Sequence, residues 1–235
     1  MKKVIFLVLL VIVFVSCKKD DNQAGIEPEL TVTDADGNVY QTITVGNQIW
    51  MLENLKTTTY NDGTPINQYE FGDDWHNGNT QIDYYQWAET NDSGNLFNGD
   101  LPFDYFGAMY NHFAIESGKL APDGWRIPTT QDFMELENFL TNNGQSGTEG
   151  EALKTTFGWP NLIGNGTDAI GFRGLPNGYI NSVGGKVGFI ICTWATSDVN
   201  IQNGTRTVIN LFDSKSILYE NNAVQIGAGI RCIKE

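Results

Sequence analysis

Apolar and polar residues alternate along Thr31–Asp34, Val39–Val45 and Gln48–Leu52, and the breaks between these runs hold Asp36-Gly37-Asn38 and Gly46-Asn47. A period of two places successive side chains on opposite faces of a strand, and Asp-Gly or Gly-Asn pairs supply the backbone of tight hairpins. The folded part therefore opens as a β-meander. The period then changes. Phe106, Met109, Tyr110 and Phe113 recur at helical spacing between Tyr105 and Ser117, and Phe133, Leu136, Phe139 and Leu140 recur behind Thr129 and Thr130, either of which can cap a helix. Asn142-Asn143-Gly144 ends that second helix, and a short third one is expected over 149–156. From Ile170 the chain is punctuated by glycine and rich in β-formers. Strands are expected over Gly178–Asn181, Val187–Ala195, Thr207–Phe212, Ser216–Tyr219, Ala223–Ile226 and Ile230–Ile233. Two main helices between N- and C-terminal strands predict an α+β domain whose ends meet in one antiparallel sheet.

The N-terminus follows another pattern. Met1, Lys2 and Lys3 precede an apolar run from Val4 to Val15, then Ser16 and Cys17. The run is shorter than the roughly 20 residues a membrane-spanning helix needs, and its basic start and small closing residue form a secretory signal peptide over residues 1–16. Ser16-Cys17 resembles the bacterial lipobox, with Phe14 where Leu is usual. That resemblance implies that Cys17 is lipidated and becomes the mature N-terminus. Lys18-Lys19-Asp20-Asp21 resembles the surface-export signal of Bacteroidota lipoproteins, or else is a solvated tether. Residues 17–30 are then lipidated Cys plus flexible linker, and 31–235 the folded domain.

Charge narrows the partners. The 235 residues carry a net charge of −14, and phosphate recognition needs clustered Lys and Arg, so nucleic-acid binding is excluded. Two histidines, 36 positions apart, and three cysteines do not suit a dedicated zinc, haem or iron–sulfur site. Asp34, Asp36 and Asn38 have the opening spacing of a calcium loop, but Val39 and Val45 stand where an EF-hand needs Gly and Glu, so a hairpin turn is expected. In Gly124-Trp-Arg-Ile-Pro-Thr129, Pro128 holds the preceding residue extended and Thr129 can cap a helix, which makes a strand-to-helix corner with Trp125 as core plug and Arg126 facing a carboxylate.

The least ordinary stretch is Thr57 to Gly118, 62 residues without Lys or Arg that hold ten acids and 13 aromatic residues. Its uncompensated carboxylates lie exposed, bind a cation such as Ca²⁺, or meet basic side chains from elsewhere. For Ca²⁺ the expected ligands are Asp73, Asp74 and Asp83.

Several phrases occur in order and together resemble the Fibrobacter succinogenes major paralogous domain family. They are Asp34–Tyr40, Val45–Leu55, Tyr60–Ile66, Gly107–Asn111, Gly118–Thr129, Gly164–Asp168 with Gly171-Phe172, and Gly229–Ile233. Gly124–Thr129 with Gly229-Ile-Arg-Cys232 is also similar to the formylglycine-generating-enzyme branch of the C-type-lectin-like fold. The resemblance implies a lectin-like α+β domain and no particular activity. Such oxidases use closely spaced cysteines, whereas Cys192 and Cys232 are 40 residues apart. An oxidising envelope allows these two to form a disulfide. Relatives often carry a Cys near the position of Ala121 that could pair with the C-terminal one, so the pairing stays open.

Lectin-like domains bind through a long loop before the final strands, here about 158–181, which offers Trp159, Asn161, Asp168, Asn177 and Tyr179 as a sugar-binding set. The alternative is tight turns and core aromatics. The expected function is non-enzymatic binding or adhesion at the cell surface, to glycan or another surface protein. The second class is an accessory subunit of an outer-membrane uptake or export complex.

Overall fold

The computed structural model describes residues 31–76, 81–88, 90, 101–188 and 190–235. The architecture is mixed α+β, mostly sheet, with three short α-helices among the described residues. Cys17 and the whole 1–30 segment, with Glu89, Asp92 and Asp100 of the acidic stretch, lie outside the described residues.

The opening meander forms as the alternation dictates. Val32–Thr33 pairs with Val39–Tyr40, and Thr42–Val45 pairs with Gln48–Met51 in antiparallel register. Asp34 holds the first turn: its carboxylate accepts from the amides of Asp36 and Asn38 at 3.0 and 2.9 Å, so the calcium-like spacing is used to cap a hairpin. Both termini of the domain do meet in one sheet, because Ile233–Lys234 lies between Gln48–Met51 and Trp125–Arg126.

A second, seven-stranded sheet runs in the order Leu218–Ala223, Thr205–Leu211, Cys192–Asn200, Ala228–Gly229, Ala108–Tyr110, Tyr84–Trp87, Asn67–Gln68. Two of its pairings are parallel, Cys192–Asn200 with Ala228–Gly229 and Asn67–Gln68 with Tyr84–Trp87. The sheet corrects one expected helix: Ala108–Tyr110 is a strand, and only His112–Glu116 behind it is helical. Gly107, at φ +82°, breaks the helical course, and Asn111 caps the short helix by accepting from the Ala114 amide. A buried central strand is apolar on both faces, which imitates helical spacing over so short a run.

The Thr129 cap is formed as expected. The long helix, Thr130–Leu140, begins with a capping box in which Thr129 and Asp132 satisfy one another's backbone amides. Arg126 grips the same Asp132 through two bonds of 2.6 and 2.8 Å, so the strand-to-helix corner is locked by a bidentate pair. The helix lays Phe133, Leu136 and Leu140 onto Trp50, Phe172 and Trp194. A second cluster gathers Tyr40, Met51, Tyr110, Ile230 and Cys232, and a third gathers Trp75, Tyr84, Phe106, Met109 and Ile180. Among the described residues the aromatics of the acidic stretch are thus mostly packed in the core, although Phe71 and Phe103 are exposed.

Candidate functional site

The loop after the third helix, Glu149–Leu153, is the starting point. Its backbone is fastened to that helix and the residues after it: the amides of Thr167 and Asp168 bond the carbonyls of Glu151 and Lys154, and Gly174 and Leu153 exchange a further bond. Between these ties the chain turns through Gly171, whose amide bonds the Asp168 carbonyl. Asp168 and Arg173 both adopt left-handed backbone, at φ +46° and +59°, without the freedom of glycine. The Asp168 carboxylate accepts from the Arg173 amide at 2.8 Å and so staples the loop across its mouth.

Behind the loop stands Arg231, whose side chain is fully buried. Its Nε donates to Asn54 Oδ1 at 3.0 Å and its Nη1 donates to the carbonyls of Leu52 and Phe172 at 2.5 and 2.8 Å. The guanidinium lies 5.1 Å from the ring centroids of both Phe172 and Trp194, and Nη2 has no hydrogen-bond partner among the described residues. Burial without an ion-pairing acid pushes this guanidinium down to about 10. Burial likewise pushes the Asp168 carboxyl up, against the opposing pull of the Arg173 amide and the charges of Arg173 and Arg231.

Asp168, Arg173 and Arg231 share one cavity of about 450 Å³. Leu52, Tyr105, Phe106, Phe157 and Leu175 make its apolar wall, and Glu53, Asn54 and Thr155 complete it. Arg173 is half exposed at the rim, bonded to Gln41 Oε1 at 2.8 Å and 3.9 Å from Glu53. A cleft with an apolar wall, two guanidiniums and two carboxylates suits a compact ligand that carries an acid group and hydroxyls.

The expected sugar-binding set is dispersed. Trp159 is a core residue, since its indole Nε1 donates to Thr155 Oγ1 and to the Gly174 carbonyl, both at 3.2 Å, leaving no ring face for a sugar. Asn177 is buried and spent on the Thr193 backbone, accepting from its amide at 2.9 Å and donating to its carbonyl at 3.1 Å. Asn161 is exposed on a turn and does not line the cavity, and Tyr179 lines a different pocket. Only Asp168 of that set reaches the cleft.

The metal and disulfide expectations are corrected too. Among the described residues no group of three or more His, Cys, Asp or Glu converges on a metal position. Asp73 is engaged by the Glu70 amide at 2.9 Å, whereas Asp83 stands beside Tyr60, whose phenol is pushed up by burial and by that carboxylate. Basic side chains from elsewhere meet the acidic stretch instead: Lys56 binds Asp104 and Lys119 binds Asp62, both at 2.7 Å, and buried Arg206 binds Glu116 at 2.9 Å. Cys192 and Cys232 are free thiols in different core clusters, so the disulfide is not formed. Burial pushes both thiols up, which keeps them protonated and unreactive.

Arg173, Arg231, Asn54 and Tyr105 were not among the expected site residues. Arg231 stood inside the Gly229–Ile233 phrase, but a lone Arg in a β-rich tail carries no sign of the three distant segments, residues 51–54, Phe172 and Trp194, that hold it. No curated protein and no solved structure matches the chain. A family model described as the Fibrobacter succinogenes major domain matches residues 43–234, from the second hairpin to the closing strand and including every residue of the cleft. The chain belongs to the Fibrobacter succinogenes major domain family.

Proposed function

We propose that this chain is an outer-membrane lipoprotein, anchored through Cys17 and facing the cell exterior, whose C-type-lectin-like domain is a non-enzymatic binding module for an acidic sugar of a glycan. The observation that supports the binding role most is the paired left-handed backbone of Asp168 and Arg173 at the mouth of the cleft above Arg231. Such conformations cost about 1–3 kcal/mol each and persist where the surroundings over-determine them, most often at ligand sites. Arginine rarely adopts this conformation, and the turn between the two residues uses glycine instead, Gly171 at φ +72°.

The recognition chemistry follows from the lining. A sugar carboxylate pairs with the Arg173 guanidinium at the rim, with the charge of Arg231 behind it. The C–H face of the ring packs on Leu175 and Tyr105, and the Asp168 and Glu53 carboxylates accept from ring hydroxyls. None of this requires proton transfer.

The test is binding of the detergent-solubilised full chain to immobilised uronate-bearing glycans and to their neutral counterparts. Preference for the acidic forms, lost in Arg173→Ala at unchanged melting temperature, supports the reading. Equal binding of neutral glycans, or binding indifferent to Arg173→Ala, refutes it. For the anchor, Cys17→Ala should release the protein from membranes. An empty array together with a stoichiometric protein partner recovered from solubilised membranes would favour the accessory-subunit reading instead.

A further inference from the structure

The seven-stranded sheet has two faces, and the one opposite the long helix, apolar at Ala195 and Val208, carries polar side chains at its neighbouring positions where strands usually bury apolar ones. Cys192, Trp194, Ile209 and Leu211 point into the core that holds the long helix. Alternation sends Thr193 and Asn210 the other way, directly opposite one another in adjacent strands, with Glu220 on the next strand over. These three, with Tyr179 and Asn222, line a pocket of about 290 Å³ whose apolar walls are Ile191 and Ile226. It shares no lining residue with the cleft described above.

Two buried atoms in this pocket lack partners. Thr193 is 1% and Asn210 is 2% exposed, yet Thr193 Oγ1 and Asn210 Oδ1 make no hydrogen bond in the structure. An unsatisfied buried polar group costs about 1–3 kcal/mol, so two in one pocket call for an occupant. The Asn210 amide is orientated by its neighbour: Nδ2 donates to Glu220 Oε2 at 2.9 Å, and the reverse orientation would set two acceptors face to face. The Thr193 backbone is satisfied by Asn177, which leaves only its hydroxyl. Glu220 forms no ion pair among the described residues.

We propose that this pocket binds a primary ammonium group. Its three N–H donors match the three acceptors that converge there: the Asn210 carbonyl oxygen, the Thr193 hydroxyl and the Glu220 carboxylate. A neutral hydroxyl brings one donor against the ammonium's three and no charge to meet the Glu220 carboxylate. Positive charge is favoured further by Glu220 itself and by the chain's net charge of −14. Ile191, Ile226 and the ring of Tyr179 take the apolar stem behind the ammonium.

The experiment is calorimetric titration of the detergent-solubilised full chain with n-butylammonium and with n-butanol, its neutral isostere. Saturable binding of the amine with the alcohol at least about tenfold weaker is the expected result. Glu220→Gln keeps an acceptor for Asn210, sits on an exposed position and should weaken the amine about tenfold at unchanged melting temperature. Arg173→Ala should leave it untouched, so failure of the glycan reading and failure of this one are separable. Lysine methylamide, glucosamine and putrescine then show which amine source fits best. Equal binding of alcohol and amine, absence of saturation as in a merely hydrated pocket, or indifference to Glu220→Gln overturns the proposal.

Discussion

Replacing Arg231 by Met asks whether the buried guanidinium is a tie in the fold or an idle charge beneath the cleft. Methionine has a similar reach and keeps apolar contact with Phe172 and Trp194, so the change removes charge and hydrogen bonds more than volume. Four acceptors lose a donor. Asn54 Oδ1 still receives the Trp194 indole N–H at 2.8 Å, and Met51 O was held weakly at 3.4 Å. The carbonyls of Leu52 and Phe172 are left buried and unpaired, at about 1–3 kcal/mol each. Loss of two desolvated cation–π contacts adds to this, whereas relief of the buried charge subtracts from it. The net loss is about 3–5 kcal/mol, which for a domain of this size lowers Tm by roughly 10 °C. Urea unfolding followed by tryptophan fluorescence reads it directly, because Trp50 and Trp194 lie in the adjoining core. Arg231→Lys should recover about half, since an ammonium restores charge but not the fork that spans Asn54, Leu52 and Phe172. A loss below about 1 kcal/mol for Arg231→Met would refute the structural argument and leave the guanidinium with ligand binding as its use.

Gly107→Ala should cost about 2–4 kcal/mol in the same unfolding assay, because a Cβ there stands 2.7 Å from Asn54 Cβ and 2.9 Å from the Leu55 carbonyl on backbone at φ +82°. Asp132→Asn tests the strand-to-helix corner through pH. Burial pushes the Asp132 carboxyl up, but the bonds from Arg126 and Thr129 outweigh it and hold the pKa below the ordinary 3.8. A lowered carboxylate contributes stability above its unfolded pKa and loses it as pH falls through the folded value, so the wild type should lose more stability than Asp132→Asn between about pH 5 and pH 2. Parallel acid-melting curves for the two proteins would refute this coupling.

The hairpins and the long helix were legible because their causes are local. Alternation with Asp-Gly and Gly-Asn turns sets the register of Thr42–Val45 on Gln48–Met51, and Thr129 with Asp132 starts the helix three residues from its own cap. The pairing of chain ends was legible too, from strand-forming runs at both ends. Illegible were the features built by distant residues. Ala108–Tyr110 is a strand because Tyr84–Trp87 and Ala228–Gly229 flank it, and nothing in residues 105–113 announces those neighbours. Trp159 looked like a stacking platform because Thr155 Oγ1 and the Gly174 carbonyl, which claim its N–H, are visible only in the fold. The balance of the acidic stretch was equally hidden, since Lys56 and Lys119 sit just outside its two ends and Arg206 is 90 residues beyond Glu116.

Buried polar groups in this domain divide by whether the protein completes their bonding. Asn54, Asn111 and Asn177 are complete: each amide ties backbone or side chains of two separate segments, as when Asn111 joins Ala114, Tyr84, Trp75 and Ile82. Such residues cost little to bury and fix where segments cross. Thr193 Oγ1, Asn210 Oδ1 and Nη2 of Arg231 are incomplete and line the two pockets, while Tyr60 Oη and His112 Nδ1, also buried without a hydrogen bond, stand beside the carboxylates of Asp83 and Glu116. Selection for stability alone would remove the first two with Val and Leu, which fill nearly the same volumes without an unpaired oxygen. Asp168 and Arg173 hold left-handed backbone that glycine would adopt without strain, and their side chains offset only part of that cost through the Asp168 bond to the Arg173 amide and the Arg173 bond to Gln41. Costs of this kind are retained at both cavities, where a bound acid group and a bound ammonium would each offset them.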